Sequence, residues 1–145
     1  MEEKHFTIPT QTVTDMQADH MPALNLAYVG DTLYDLYVRT RLVTESNAAS
    51  GKLQKIAVRK VCAQGQAHGL QAILESLTDE EKEIVRKGRN ARPKAYPKHA
   101  SAAEYHMATA METLLGHLYL TGKLQRAWEI MEMIYQSDET GESHG

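Results

Sequence analysis

The run from Leu24 to Val43 constrains this chain most, because Leu, Tyr and Val recur around most of a helical wheel and leave little face suited to water. Such a helix has to be wrapped by others, so it is expected to be a buried central rod. The wrapping comes in pieces of helical length. Leu53, Ile56, Ala57 and Val61 recur at helical spacing behind a cap at Asn47 or Ser50. Leu70, Ile73, Leu74 and Leu77 prolong an apolar stripe past Gly65 and Gly69, which either break the helix or let it pack closely. Thr78 with Glu81, and Ser101 with Glu104, have the spacing of capping boxes, in which each side chain satisfies a free backbone N–H at a helix start. The first opens a helix expected to end at Gly88. The second opens a helix with Met107, Met111, Leu114 and Leu118 inward and a stop at Gly122. A last amphipathic helix, from about Leu124 to Gln136, carries Ala127, Trp128, Met131 and Tyr135. No stretch alternates as a strand and no repeat recurs, so the expected fold is all-α.

A chain of 145 residues suits one domain, expected over residues 21–136. Residues 1–20, interrupted by Pro9, read as an extended or loosely attached arm, and residues 137–145 as a mobile acidic tail. Apolar residues at 42% exclude a disordered chain. The single cysteine, Cys62, can form neither an internal disulfide nor a cysteine zinc site, and suits a reducing compartment. No charged-then-apolar leader opens the sequence and no apolar run approaches the roughly 20 residues of a membrane span. A cytoplasmic protein without a membrane partner is expected.

The net charge of −3 conceals a concentration of positive charge. Arg86, Lys87, Arg89, Arg92, Lys94 and Lys98 occur with no acid among them, so the rest of the chain is acidic. Such a run is often no more than a solvated loop. Here Pro93 and Pro97 restrict φ, and Gly88 and Asn90 add turn chemistry, so the charges sit on a shaped loop able to follow a phosphate backbone. Nucleic-acid binding through it would be directional and sensitive to salt.

Many enzyme signatures are missing: no Gly-rich phosphate loop, no paired-histidine metal helix and no nucleophile-elbow serine. Seven scattered histidines show no ligand spacing. Tyr28, Tyr34 and Tyr37 read as core or interface residues rather than stacking platforms. Asp31 is different, since it interrupts the most apolar helix. It needs either an ion pair, with Arg39 or Arg41, or another function. Asp35 is simpler, standing one turn before Arg39 in the favourable order. Gly30 lowers helix propensity beside Asp31, which close approach of another helix or a ligand would offset. Glu112 is embedded in the same way among Met111, Leu114 and Leu115. Tyr105, Thr109, Glu112 and Gly116 lie along one strip of that helix, a candidate cleft lining. Were the two helices to pack together, two carboxylates would converge, a set best neutralised by a divalent cation. Oxygen ligands favour magnesium, with manganese as substitute, over zinc.

With these residues in place, Tyr28-Val29-Gly30-Asp31-Thr32-Leu33 resembles the signature helix of the ribonuclease III catalytic domain. Met111-Glu112-Thr113-Leu114-Leu115-Gly116-His117-Leu118-Tyr119-Leu120 resembles its second acidic helix. The length, together with Lys87-Gly88-Arg89-Asn90-Ala91-Arg92 and Pro97-Lys98, is most similar to the compact mini-ribonuclease III group, which lacks an appended double-stranded RNA-binding domain. The resemblance implies a helical endonuclease fold, a homodimer and magnesium-dependent cleavage of double-stranded RNA, with the stem of precursor 23S ribosomal RNA as substrate. It assigns Asp31 and Glu112 as catalytic, metal-holding acids. Larger family members carry further acids where this chain has Leu24 and Thr109.

In this reading Arg86, Lys87, Arg89, Asn90, Arg92, Lys94 and Lys98 bind RNA, while Thr109, Tyr105 and Gly30 support the site. A ribosomal protein is a further expected partner. The alternative is a non-catalytic RNA-binding ribosome-assembly factor with the same fold. A purely helical interaction protein is the third reading, motivated by the Met and Tyr content.

Overall fold

The computed structural model describes residues 13–98 and 100–142, with the backbone alone over 138–142. Among these residues there are seven α-helices and no strand: α1 (Asp15–Asp19), α2 (Ala23–Glu45), α3 (Ser50–Val61), α4 (Ala63–Ile73), α5 (Asp79–Arg89), α6 (Ala102–Leu120) and α7 (Leu124–Glu142). A 3₁₀ turn, Leu74–Ser76, follows α4.

The local signals at α5 and α6 act as their chemistry requires. Thr78 and Ser101 each accept a bond from the N–H three residues on, and Glu81 and Glu104 reach back to the cap N–H. Helix α5 ends at Arg89, with Asn90 capping it, one residue past the expected stop. Gly122 adopts φ 83°, a left-handed conformation that turns the chain between α6 and α7.

The central rod is α6 rather than α2. From Ala108 to Leu118 only Glu112 escapes full burial, and α6 packs against α2, α4, α5 and α7. Met111, Leu114, Leu115 and Leu118 meet Leu33, Tyr34, Tyr37, Val38 and Leu42 of α2 in one core, closed by Ile130, Met131 and Ile134 of α7. Helix α2 keeps an uncovered side, with Tyr28, Leu36 and Val43 exposed. Tyr34 and Tyr37 lie in the core as expected, but Tyr28 does not, because no described helix covers the outer face of α2 at that level.

Four further boundaries differ from the sequence reading. Neither Asn47 nor Ser50 caps α3, whose N-cap is Ala49 without a side-chain bond. The stripe breaks at Cys62, whose Sγ accepts from the Gly65 N–H. At Gly65 a Cβ would lie 2.4 Å from the Arg59 carbonyl oxygen, so only a bare backbone allows so tight a corner. The expected arm is in part a docked helix. Thr14 and Gln17 form a capping box for α1, Ala18 is fully buried, and Asp19 and Asp15 pair with His117 (2.9 Å) and Lys123 (2.7 Å). The arm before Val13 lies outside the described residues. At the other end, α7 continues past Gln136 to Glu142, because nothing breaks it and the Ser137 hydroxyl bonds back to the Ile134 carbonyl. The rest of the expected tail, 143–145, is outside the described residues. No helix among the described residues is long and apolar enough to cross a membrane.

Candidate active site

Asp31 and Glu112 come together because α2 and α6 cross at two glycines. A Cβ on Gly30 would stand 1.8 Å from the Glu112 carbonyl oxygen, and one on Gly116 would stand 1.9 Å from that of Leu26. No other residue type permits such an approach. Asp31, next after Gly30, is exposed on the outer side of α2, whereas Glu112 is partly covered. Their side chains share a hydrogen bond.

Neither cation proposed for an ion pair with Asp31 is engaged there. Arg39 pairs with Asp35 at 3.0 Å, and Arg41 pairs with Glu45 and donates to the Tyr37 hydroxyl. Burial first, and then the hydrogen bond and charge of Asp31, push the Glu112 carboxyl up to about 9. Glu112 thus keeps its proton at neutral pH, the usual outcome when a carboxyl is buried beside a like charge without a cation. Their oxygen-only chemistry fits a hard divalent ion. Among the described residues no third His, Cys, Asp or Glu joins them in a metal-holding group. The Leu24 and Thr109 positions explain why: Leu24 is exposed, and Thr109 is buried with its carbonyl accepting from the Thr113 hydroxyl.

Gln66 of α4, which sequence reasoning did not single out, is the neutral neighbour. It is almost wholly buried and hydrogen-bonds to Glu112. Its amide nitrogen also donates to the Val61 carbonyl at 2.8 Å, while its amide oxygen is buried without a partner. A glutamine near a helix start carries no sequence signal for this contact. It depends on which neighbour the α4–α6 packing supplies.

The strip on α6 faces α2 and forms no open cleft at Gly116. Tyr105 sits at its far end in an edge-to-face cluster with Tyr96 and His106, and the Tyr96 hydroxyl meets His106 Nε2 at 2.9 Å. That contact ties the basic loop to α6.

The basic segment divides by role. Lys87 Nζ donates to the carbonyls of Asp19 and Met21, both at 2.7 Å, so it fastens α1 and the start of α2 to α5. Arg86 is exposed but paired with Glu83. Arg89, Asn90, Arg92, Lys94 and Lys98 are exposed, and the four cations among them form no ion pair among the described residues. Arg86, Lys87, Asn90 and Arg92 line, with Pro22–Asn25, a shallow groove of about 470 Å³. Leu24, Tyr28 and Asp31 share one exposed face of α2, so the groove leads along that helix toward the carboxylate pair.

Fold and acid pair together define a ribonuclease III domain, and the family described as Ribonuclease III domain matches residues 24–123. The chain is 39% identical over 127 residues to Mini-ribonuclease 3 of Thermoanaerobacter sp., covering 88% of this chain and 89% of that protein. It is 39% identical to Mini-ribonuclease 3 of Symbiobacterium thermophilum, covering 84% and 94%. The crystal structure of protein FN1578 from Fusobacterium nucleatum superposes with a TM-score of 0.76 at 26% identity, covering 87% of this chain and 99% of that one. The chain belongs to the ribonuclease III family of endoribonucleases, within its Mini-ribonuclease 3 group.

Proposed function

We propose that this chain cleaves double-stranded RNA in a magnesium-dependent reaction centred on Asp31 and Glu112. The observation that carries the reading is the carboxylate pair itself, converged by a glycine crossing and neutralised by no cation. Bound by these two acids, magnesium would supply positive charge at the attacked phosphate and acidify a water nucleophile. Manganese has the same ligand preference. The chain's own contribution is to hold the acids apart from competing cations and to aim them at one exposed face. With so few protein ligands, the ion would retain waters and gain substrate phosphate as a ligand, as is usual for magnesium.

Arg89, Arg92, Lys94 and Lys98 grip the RNA backbone in this proposal, with Asn90 and Arg86 at the groove. Duplex RNA hides its base edges in a deep groove, so recognition rests on A-form shape, phosphates and 2′-hydroxyls. The proposed substrate is the stem of precursor 23S ribosomal RNA, and the compartment is the cytoplasm. A homodimer places two such sites across a two-fold axis, each cutting one strand of a duplex with matching symmetry. The exposed Tyr28, Leu36 and Val43 of α2 supply apolar surface for the pairing.

The test uses purified protein and an end-labelled RNA hairpin with and without magnesium. Cleavage only with magnesium, lost in Asp31→Asn and Glu112→Gln while duplex binding persists, is expected. Equal cutting by both variants overturns the site. The second reading, a non-catalytic assembly factor, draws on Leu24 and Thr109 standing where larger relatives have acids. It predicts duplex binding without cleavage at any magnesium concentration.

A further inference from the structure

We infer that Gln66 is the positioning residue for Glu112, holding its carboxylate toward Asp31 and thereby setting the affinity of the pair for a divalent cation. This rests on the metal-holding role proposed for the two acids. Three observations carry it. Gln66 is 1% exposed, so bulk water does not reach its amide. Its side chain interacts with the Glu112 carboxyl, while its nitrogen donates at 2.8 Å to the Val61 carbonyl, at the α3–α4 corner, which anchors the amide. Its oxygen is buried with no partner.

A buried amide oxygen without a partner is unusual, since nearly all such atoms are bonded. The two ends of one amide are close neighbours, so the unpaired oxygen belongs to the same small group that meets the Glu112 carboxyl. A water retained by a cation at Glu112 would supply the missing donor. Carboxylates that ligate metals are commonly held by such outer partners, whose loss weakens metal binding ten- to a hundredfold. A residue present only to fill α4–α6 packing would be better served by Leu or Met, which leave no unpaired oxygen.

The test substitutes Gln66→Met, which keeps length and flexibility and removes both polar ends. Manganese binding to the full chain is followed by electron paramagnetic resonance without RNA, and cleavage by titrating magnesium. The expected result is a ten- to hundredfold weaker manganese affinity and a similar rise in the magnesium needed for half-maximal cleavage. The KM for RNA should hardly change, and any fall in melting temperature from the lost bond to the Val61 carbonyl should not account for the weaker metal binding. Manganese affinity within twofold of the unsubstituted chain overturns the inference, as does a lower melting temperature with unchanged affinity. On the unsubstituted chain, the Gln66 side-chain amide signal in a ¹⁵N NMR spectrum should move as magnesium is added, and its standing still also overturns the inference. Should the unsubstituted chain bind no manganese and cut no RNA, the acid-pair reading itself falls, a result distinct from failure of the glutamine alone.

Discussion

Gly30 lies against the carbonyl of Glu112 so closely that a single added carbon would stand 1.8 Å from its oxygen. The neighbouring Asp31 and the Glu112 side chain meet because those two backbones do. Gly30→Ala therefore has to push α2 and α6 apart, and overpacking of this kind costs about 1–3 kcal/mol. The expected outcome is a lower melting temperature together with loss of RNA cleavage at any magnesium concentration. Gly116→Ala, whose Cβ would stand 1.9 Å from the Leu26 oxygen, should do the same from the other helix. A variant that melts lower yet cuts normally would show that the acids tolerate the separation.

The raised Glu112 carboxyl sets a pH dependence in the metal-free protein. Folded, it holds its proton up to about 9, while an ordinary glutamate releases it near 4.5. Between these values the folded state binds the extra proton, so stability is greatest at the acid end and falls as pH rises. Melting in a chelator from about pH 5 to about pH 9 should show this decline, and Glu112→Gln should flatten it. Cation binding displaces the proton, so metal affinity should rise over the same range. A chelated protein whose stability instead rises through that range would mean that Glu112 does not hold the extra proton.

Much of this was legible in the sequence wherever the signal is local. The capping boxes at Thr78 and Ser101 are satisfied within four residues, so spacing alone located them. Thr14 and Gln17 carry the same signal for α1, overlooked because the helix they start is so short. Asp31 and Glu112 stood out as acids in apolar helices beside small residues, and their contact follows from helix packing. Gln66 and Lys87 were illegible for one reason. Each acts on a partner brought from elsewhere in the chain, Glu112 for the glutamine and the Asp19 and Met21 carbonyls for the lysine. In sequence Lys87 looks like any other cation of its segment.

That difference separates two kinds of variant in the basic segment. Neutralising Arg89, Arg92 and Lys94 to Gln removes cations that form no ion pair within the described chain, so it should weaken duplex RNA binding and flatten its dependence on salt. Helix content should stay the same. Lys87→Met instead leaves two carbonyls short of a donor, each loss costing about 1–3 kcal/mol where water cannot replace it. It should lower the melting temperature and loosen α1. An unchanged salt slope in the triple variant would remove the loop from the RNA contact.

The pair formed by Arg126 and Glu81 makes a prediction far from the acid pair. Glu81 is 6% exposed and takes both bonds from the Arg126 guanidinium, at 2.8 and 2.9 Å, while also closing the capping box of α5. The Arg126 bond holds its carboxyl below the usual range, against the opposing effect of burial. A depressed carboxyl stabilises the fold above its ordinary value and loses that contribution as pH falls through the folded one. Arg126→Met leaves a buried charge without its cation, and should cost about 3 kcal/mol, toward the low end for such pairs because Arg126 is 29% exposed. Melting at neutral pH measures the loss, which should shrink in acid as Glu81 takes up a proton. Glu81→Gln with Arg126→Met should recover part of it, since no buried charge then remains. If the double variant melts no higher than Arg126→Met alone, the effect lies in the arginine's packing against α5 and not in its charge.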